Sequence, residues 1–281
     1  MEHGRIELYT DVESVTKANI ADILRSVMPL HEKNATQIKR LLDFEEGEQP
    51  IARKKKYRPD IDCVCVDNIA NEIAEFKQSY NWGSPITLVM REQTNDQNGQ
   101  IADAVSYLNR CFQSQDYNAK QQKLARFVEI TAVGYTYIDI NTNYVEGESP
   151  FTIDVLNPVC TFVVRSSRYL DRRIMLSGTY FCDSTGGKEF TCFTDTERYE
   201  LNSSYEHKER SGEKNPLGIN PITEWIRSYD RMGCFERQIS EMNNLNLLIS
   251  DFTNDVDQNT QAVWHGNDID FPTEVVKNED G

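Results

Sequence analysis

Up to Gly134 the apolar positions recur at helical intervals, and beyond it they alternate. In SVTKANIADILRSVM, Val15, Ile20, Ile23, Leu24 and Val27 step by threes and fours and predict a helix. Pro29 is expected to interrupt it before a second helix carrying Ile38, Leu41 and Leu42, which Gly47 ends. The short alternating CVCV at Cys63–Val66 predicts a strand. Ile69, Ile73, Phe76 and Tyr80 then predict one apolar helix face, closed by the loop NWGSP. Two further helices are marked by Ile101, Val105, Leu108 and Phe112, and by Leu124, Val128 and Ile130.

After Gly134 the segments YTYIDI, FTIDVL, CTFVVR, RIMLSGTYF, EFTCFT and RYELNSS read as successive strands, with Asn157-Pro158 and Gly186-Gly187 as turns. Helices do not alternate with these strands, so an antiparallel sheet is expected and the class is α+β. The aromatic residues of this region are expected to pack within it, because the flanking charges are mixed rather than basic. NPLGINPITEWI, Asn215 to Ile226, leads through a Pro-Gly turn and a short apolar segment into the last pattern. There Phe235, Ile239, Met242, Leu245, Ile249, Phe252, Val256 and Val263 predict a helix of about 30 residues, about 45 Å long. Acidic residues including Glu241, Asp251, Asp255 and Asp257 occupy its other faces.

Charge narrows the function. With 45 acidic against 30 basic residues, the net charge of −15 excludes a protein that grips many phosphates. The one strong basic run, Arg53 to Arg58, reads as a solvated arm or a local patch for nucleic acid or an acidic partner. No apolar run reaches the roughly 18 residues that span a bilayer, and no secretion signal opens the chain, so it reads as soluble and intracellular.

Candidate chemistry is sparse. The seven cysteines form no C-x-x-C pair; Cys63 and Cys65 fall on one face of their segment, and free buried thiols are expected rather than a zinc site. Asp255, Asp257 and Asn259 resemble the start of a calcium loop, but Thr260 stands where glycine is required and Gly266 where glutamate is. The four histidines have no ligand-like partners, and a nucleophile elbow, a phosphate loop and a dinucleotide fingerprint are all missing. No enzyme and no cofactor are expected.

Four stretches in order, LLDFEEGEQPIARKKKYRPD, CVCVDNIANEIAEFKQSYNWGSPITL, DVLNPVCTFVVR and NPLGINPITEW followed by the acid-dotted helix, resemble the portal proteins of tailed bacteriophages, in the branch typical of long-tailed phages of Gram-positive hosts. The resemblance implies N-terminal helices and a basic arm over residues 1–67, and a mixed wing domain with an antiparallel sheet over 68–228. It further implies a first stem helix over 229–264 and the start of a clip region over 265–281, so that the chain corresponds to the N-terminal part of a portal.

The function it implies is a ring of about twelve copies at one capsid vertex, assembled in the host bacterial cytoplasm and carried in the virion. Double-stranded DNA passes through such a ring in packaging and ejection. Its implied partners are further copies of itself, the terminase large subunit, a head-tail adaptor, and capsid and scaffolding proteins, with no membrane. Phe235, Ile239, Met242, Leu245, Ile249 and Phe252 are then expected in stem packing. Arg53, Lys54, Lys55 and Lys56 are expected to contact DNA or an acidic partner, and Trp264, His265 and Asp268 a clip-side partner. The alternatives are a metal-dependent DNA-processing enzyme using Asp251, Asp255 and Asp257, or an inactive prophage remnant.

Overall fold

The computed structural model describes residues 4–51, 63–91, 99–141, 143–145, 148–182 and 186–260. They divide into two units: Met1–Gln49 with Asn68–Met242, and Pro50–Asp67 with Asn243–Gly281. The larger unit mixes helices and two sheets, an α+β arrangement.

Its N-terminal strand β1 (Leu8–Thr10) precedes the long helix α1 (Ile20–Glu45), followed by α2 (Ile69–Trp82), α3 (Gln100–Ser114) and α4 (Tyr117–Thr131). Eight strands follow: β2 (Val133–Ile140), β3 (Phe151–Leu156), β4 (Thr161–Ser166), β5 (Ile174–Cys182), β6 (Lys188–Phe193), β7 (Glu197–Leu201), β8 (Glu213–Lys214) and β9 (Ile222–Ile226). They form a six-stranded sheet in the order β1-β4-β5-β6-β7-β8 and a three-stranded sheet in the order β3-β2-β9. All pairings are antiparallel except β1 with β4. The alternating pattern thus serves two sheets rather than one, and the three-residue β1 is too short to show as a pattern.

Pro29 does not break the first helix. Its side chain and that of Arg25, whose carbonyl loses a donor, both lie on the exposed side, while Ile20, Leu24, Val27, Met28, Ile38 and Leu41 keep one continuous buried stripe. Burial along that stripe outweighs one lost hydrogen bond. The first half of the stripe packs on the large sheet, where Ile20, Leu24 and Met28 join Phe162, Leu176, Phe190, Tyr199 and Leu201 in one core.

The face expected for α2 is also corrected. Ala70 and Ala74 are its buried residues, Ile69 and Ile73 are half-buried, and Phe76 and Tyr80 are 64% and 79% exposed. Small side chains let α2 sit close on Leu41, Phe44 and Phe235 in a second core cluster. Phe76 and Tyr80 instead stack on each other outside, ring centroids 6.1 Å apart.

The junction at NPLGINPITEWI has a defined role. Asn215 donates to the carbonyls of Thr194 and Ile219 and accepts from the Leu217 amide, closing the turn in which Gly218 adopts φ 67°. The chain then enters β9, which pairs with β2 from Tyr137↔Ile222 to Val133↔Ile226.

Candidate assembly interface

Beyond β9 the chain is drawn tightly onto the larger unit before its last helix. Glu224 accepts from Arg231 at 2.6 Å and from Arg165 at 2.9 Å. Burial works against the charge on Glu224, but the two guanidiniums outweigh it and hold the carboxyl below its ordinary range. Glu129, also buried, accepts from Arg227 at 3.0 Å and Asn81 at 2.8 Å. Glu236 accepts from the Gly233 amide and pairs with Arg5. Backbone contact here is close enough to demand glycine twice, since a Cβ on Gly233 would meet the Ile130 carbonyl and one on Gly4 the Asp230 carbonyl, each at 2.0 Å.

A 3₁₀ turn at Glu236–Gln238 starts the last helix, α5 (Ile239–Thr260). The helix therefore begins four residues later than Phe235, and Val263 lies outside the described residues. Phe235, Ile239 and Met242 are buried in the core cluster with Leu41, Phe44 and Ile130. Of the other residues expected in stem packing, Ile249 is half-buried, while Leu245 and Phe252 are 36% and 70% exposed.

In the second unit the buried face of α5 is polar. Asn246, Ser250 and Asn254, one helical turn apart, are each at most 4% exposed. They grip the backbone of residues 63–67. Asn246 accepts from the Asp67 amide at 2.9 Å, and Ser250 accepts from the Cys65 amide at 3.0 Å. Asn254 accepts from the Cys63 amide at 3.1 Å and donates to the Cys63 carbonyl at 3.2 Å. CVCV is therefore not a sheet strand but an extended strap running antiparallel to a helix. Four helical residues advance about 6 Å, close to two residues of extended chain, so the ladders stay in step.

The opposite face of α5 exposes large apolar side chains beside the acidic Glu241 and Asp255. Leu248 and Phe252 each lie two residues from Ser250, about 200° around the helix from it, and are 67% and 70% exposed. This inverts the usual surface helix, whose apolar stripe faces inward. Large exposed apolar side chains grouped on one helix face are the kind of feature found at protein–protein contacts.

The remaining sequence-derived residues are placed as follows. Arg53, Lys54, Lys55, Lys56, Trp264, His265 and Asp268 lie outside the described residues. Asp251 is half-buried on α5, while Asp255 and Asp257 are exposed there, and among the described residues no group of three or more His, Cys, Asp or Glu side chains is placed to hold a metal ion. The expectation of buried thiols holds for Cys111 and Cys192, whereas Cys63 and Cys182 are exposed. Among the described residues no helix is long and apolar enough to cross a membrane.

The strap and the inverted polarity of α5 were missed by periodicity, because Asn246, Ser250 and Asn254 at four-residue spacing read as an ordinary solvated face. The only signal was that their spacing matches an alternating CVCV elsewhere in the chain.

No curated protein matches the chain. A family model described as phage portal protein, SPP1 Gp6-like, matches residues 27–270, from within α1 to beyond α5. That match covers most of the chain and agrees with its α+β architecture, and the protein belongs to the SPP1 Gp6-like family of phage portal proteins.

Proposed function

We propose that copies of this chain associate side by side in a closed ring at one capsid vertex, and that the outward face of α5 is where one copy meets the next. The observation that carries the reading is the stripe of Leu245, Leu248 and Phe252, exposed on a helix whose opposite face is already satisfied by the strap. Closed cyclic assemblies use two different patches on every copy, so such a stripe supplies one half of a repeating contact. In this reading residues 68–228 are the wing and 229–264 the stem, and about twelve copies close the ring.

Double-stranded DNA is packaged and ejected through the centre. The net charge of −15 supports this role, because each strong Lys or Arg contact to phosphate would hold DNA that must slide. The basic arm at Arg53, Lys54, Lys55 and Lys56 supplies a local contact to DNA or an acidic partner. Trp264, His265 and Asp268 belong to the end on which the terminase or the head-tail adaptor docks, while capsid and scaffolding proteins surround the ring. The work is mechanical, without hydrolysis by this chain. Assembly takes place in the host cytoplasm.

Negative-stain electron microscopy of the purified chain, beside the Leu248→Asp, Phe252→Asp double variant, tests the reading. Rings with open centres are expected for the native chain, with single copies of unchanged helix content for the variant. Equal ring formation by both would remove α5 from the interface.

A further inference from the structure

The strap carries two thiols at the points where α5 holds it. Cys63 Sγ and Cys65 Sγ lie 3.8 Å apart on one side of the segment, Cys63 exposed and Cys65 half-buried with its sulfur 3.6 Å from Thr253 Oγ1. Every hydrogen bond that Ser250 and Asn254 make to the strap is to the backbone of one of these two residues.

The geometry points to Cys63 and Cys65 as a dithiol oxidation site, at which closure of a disulfide releases the strap from α5. A disulfide draws its two Cβ atoms to about 3.8 Å. In the bound strap, two residues advance in step with one helical turn, about 6 Å, and same-side Cβ atoms stand about that far apart. Closing the bond therefore curls the chain between Cys63 and Cys65, and the amides of both residues leave Asn254 and Ser250. The two held states exclude each other.

The co-reactant is a low-molecular-weight disulfide. A thiolate of the pair attacks one of its sulfurs, forming a mixed disulfide and expelling one thiolate; the second cysteine displaces the other. The strap loses two protons and two electrons, and the small disulfide gains them as two thiols. In a reducing compartment the dithiol and the latched strap persist, and outside it the disulfide is favoured.

The test treats the full chain with oxidised glutathione, maps its disulfides by mass spectrometry and follows amide hydrogen exchange. A Cys63–Cys65 disulfide is expected, with the amides of Cys63, Cys65 and Asp67 exchanging at least tenfold faster. Cys63→Ser, which leaves the backbone ladder intact, is expected to match the reduced native chain with and without oxidant. The proposal is overturned if the pair stays reduced, if the disulfide forms without change in exchange, or if Cys63→Ser loosens equally on oxidation.

Discussion

Asn254 and Cys63 exchange a reciprocal pair of hydrogen bonds, the carboxamide of one reading the backbone amide and carbonyl of the other at 3.1 and 3.2 Å. A side-chain amide here does what the edge of a neighbouring strand does in a sheet. Asn254→Leu keeps the bulk but removes both hydrogen bonds to the Cys63 backbone, at a cost of about 1–3 kcal/mol for the two. Faster exchange in residues 63–67, with the large sheet unchanged, is the expected result.

Gly233→Ala tests the approach to α5. Its Cβ would lie 2.0 Å from a backbone oxygen that cannot swing aside. A loss of more than about 2 kcal/mol in urea unfolding is expected, far more than a surface glycine substitution costs.

His31 makes stability pH-dependent. Buried between Phe162 and Tyr180, it titrates at about 4, because burial disfavours the charged ring. Its folded pKa lies below the ordinary value near 6.5, so the folded state binds the proton more weakly. Stability is complete above that ordinary value and declines as pH falls from about 6.5 towards 4, by roughly 3 kcal/mol at most. His31→Phe is expected to flatten the unfolding midpoint across this window, whatever it does to the absolute value.

Glu224 acts in a lower window. Its carboxyl is held below the ordinary range, so its contribution is full above about pH 4.5 and is lost as pH falls through the folded value. Glu224→Gln leaves buried Arg231 with only Glu7, 3.7 Å away, as counter-charge and is expected to cost about 3 kcal/mol at neutral pH. Thermal unfolding at pH 7 and pH 4 measures both effects, and the gap between native and variant should narrow at the lower pH.

The strands were legible from short β-branched and aromatic runs between turn signals, although β2, β4 and β5 each bury four consecutive residues rather than alternate ones: FTIDVL is β3 residue for residue, and the others shift by one to three positions. The helices were legible in place but less so in facing. Periodicity weighs large apolar residues, yet α2 buries Ala70 and Ala74 and exposes Phe76 and Tyr80, since close approach of backbones favours small side chains. Pro29 misled because its cost was read locally, while the buried stripe on both sides decides the outcome. Least legible were the carboxamide clamps. Asn34 with Ile6 and Asn109 with Leu88 repeat the reciprocal pairing of Asn254 with Cys63. Asparagine on a helix reads as solvated, and only the fold shows which extended segment lies beside it.

The central claim, that the outward face of α5 is covered by a neighbouring copy, is tested most directly by replacing Phe252 with a photoreactive benzoylphenylalanine and irradiating the assembled protein. The account predicts adducts of twice the chain mass, with position 252 joined to another copy. Irradiation that yields only single-chain products, in a preparation shown by light scattering to be assembled, would contradict it.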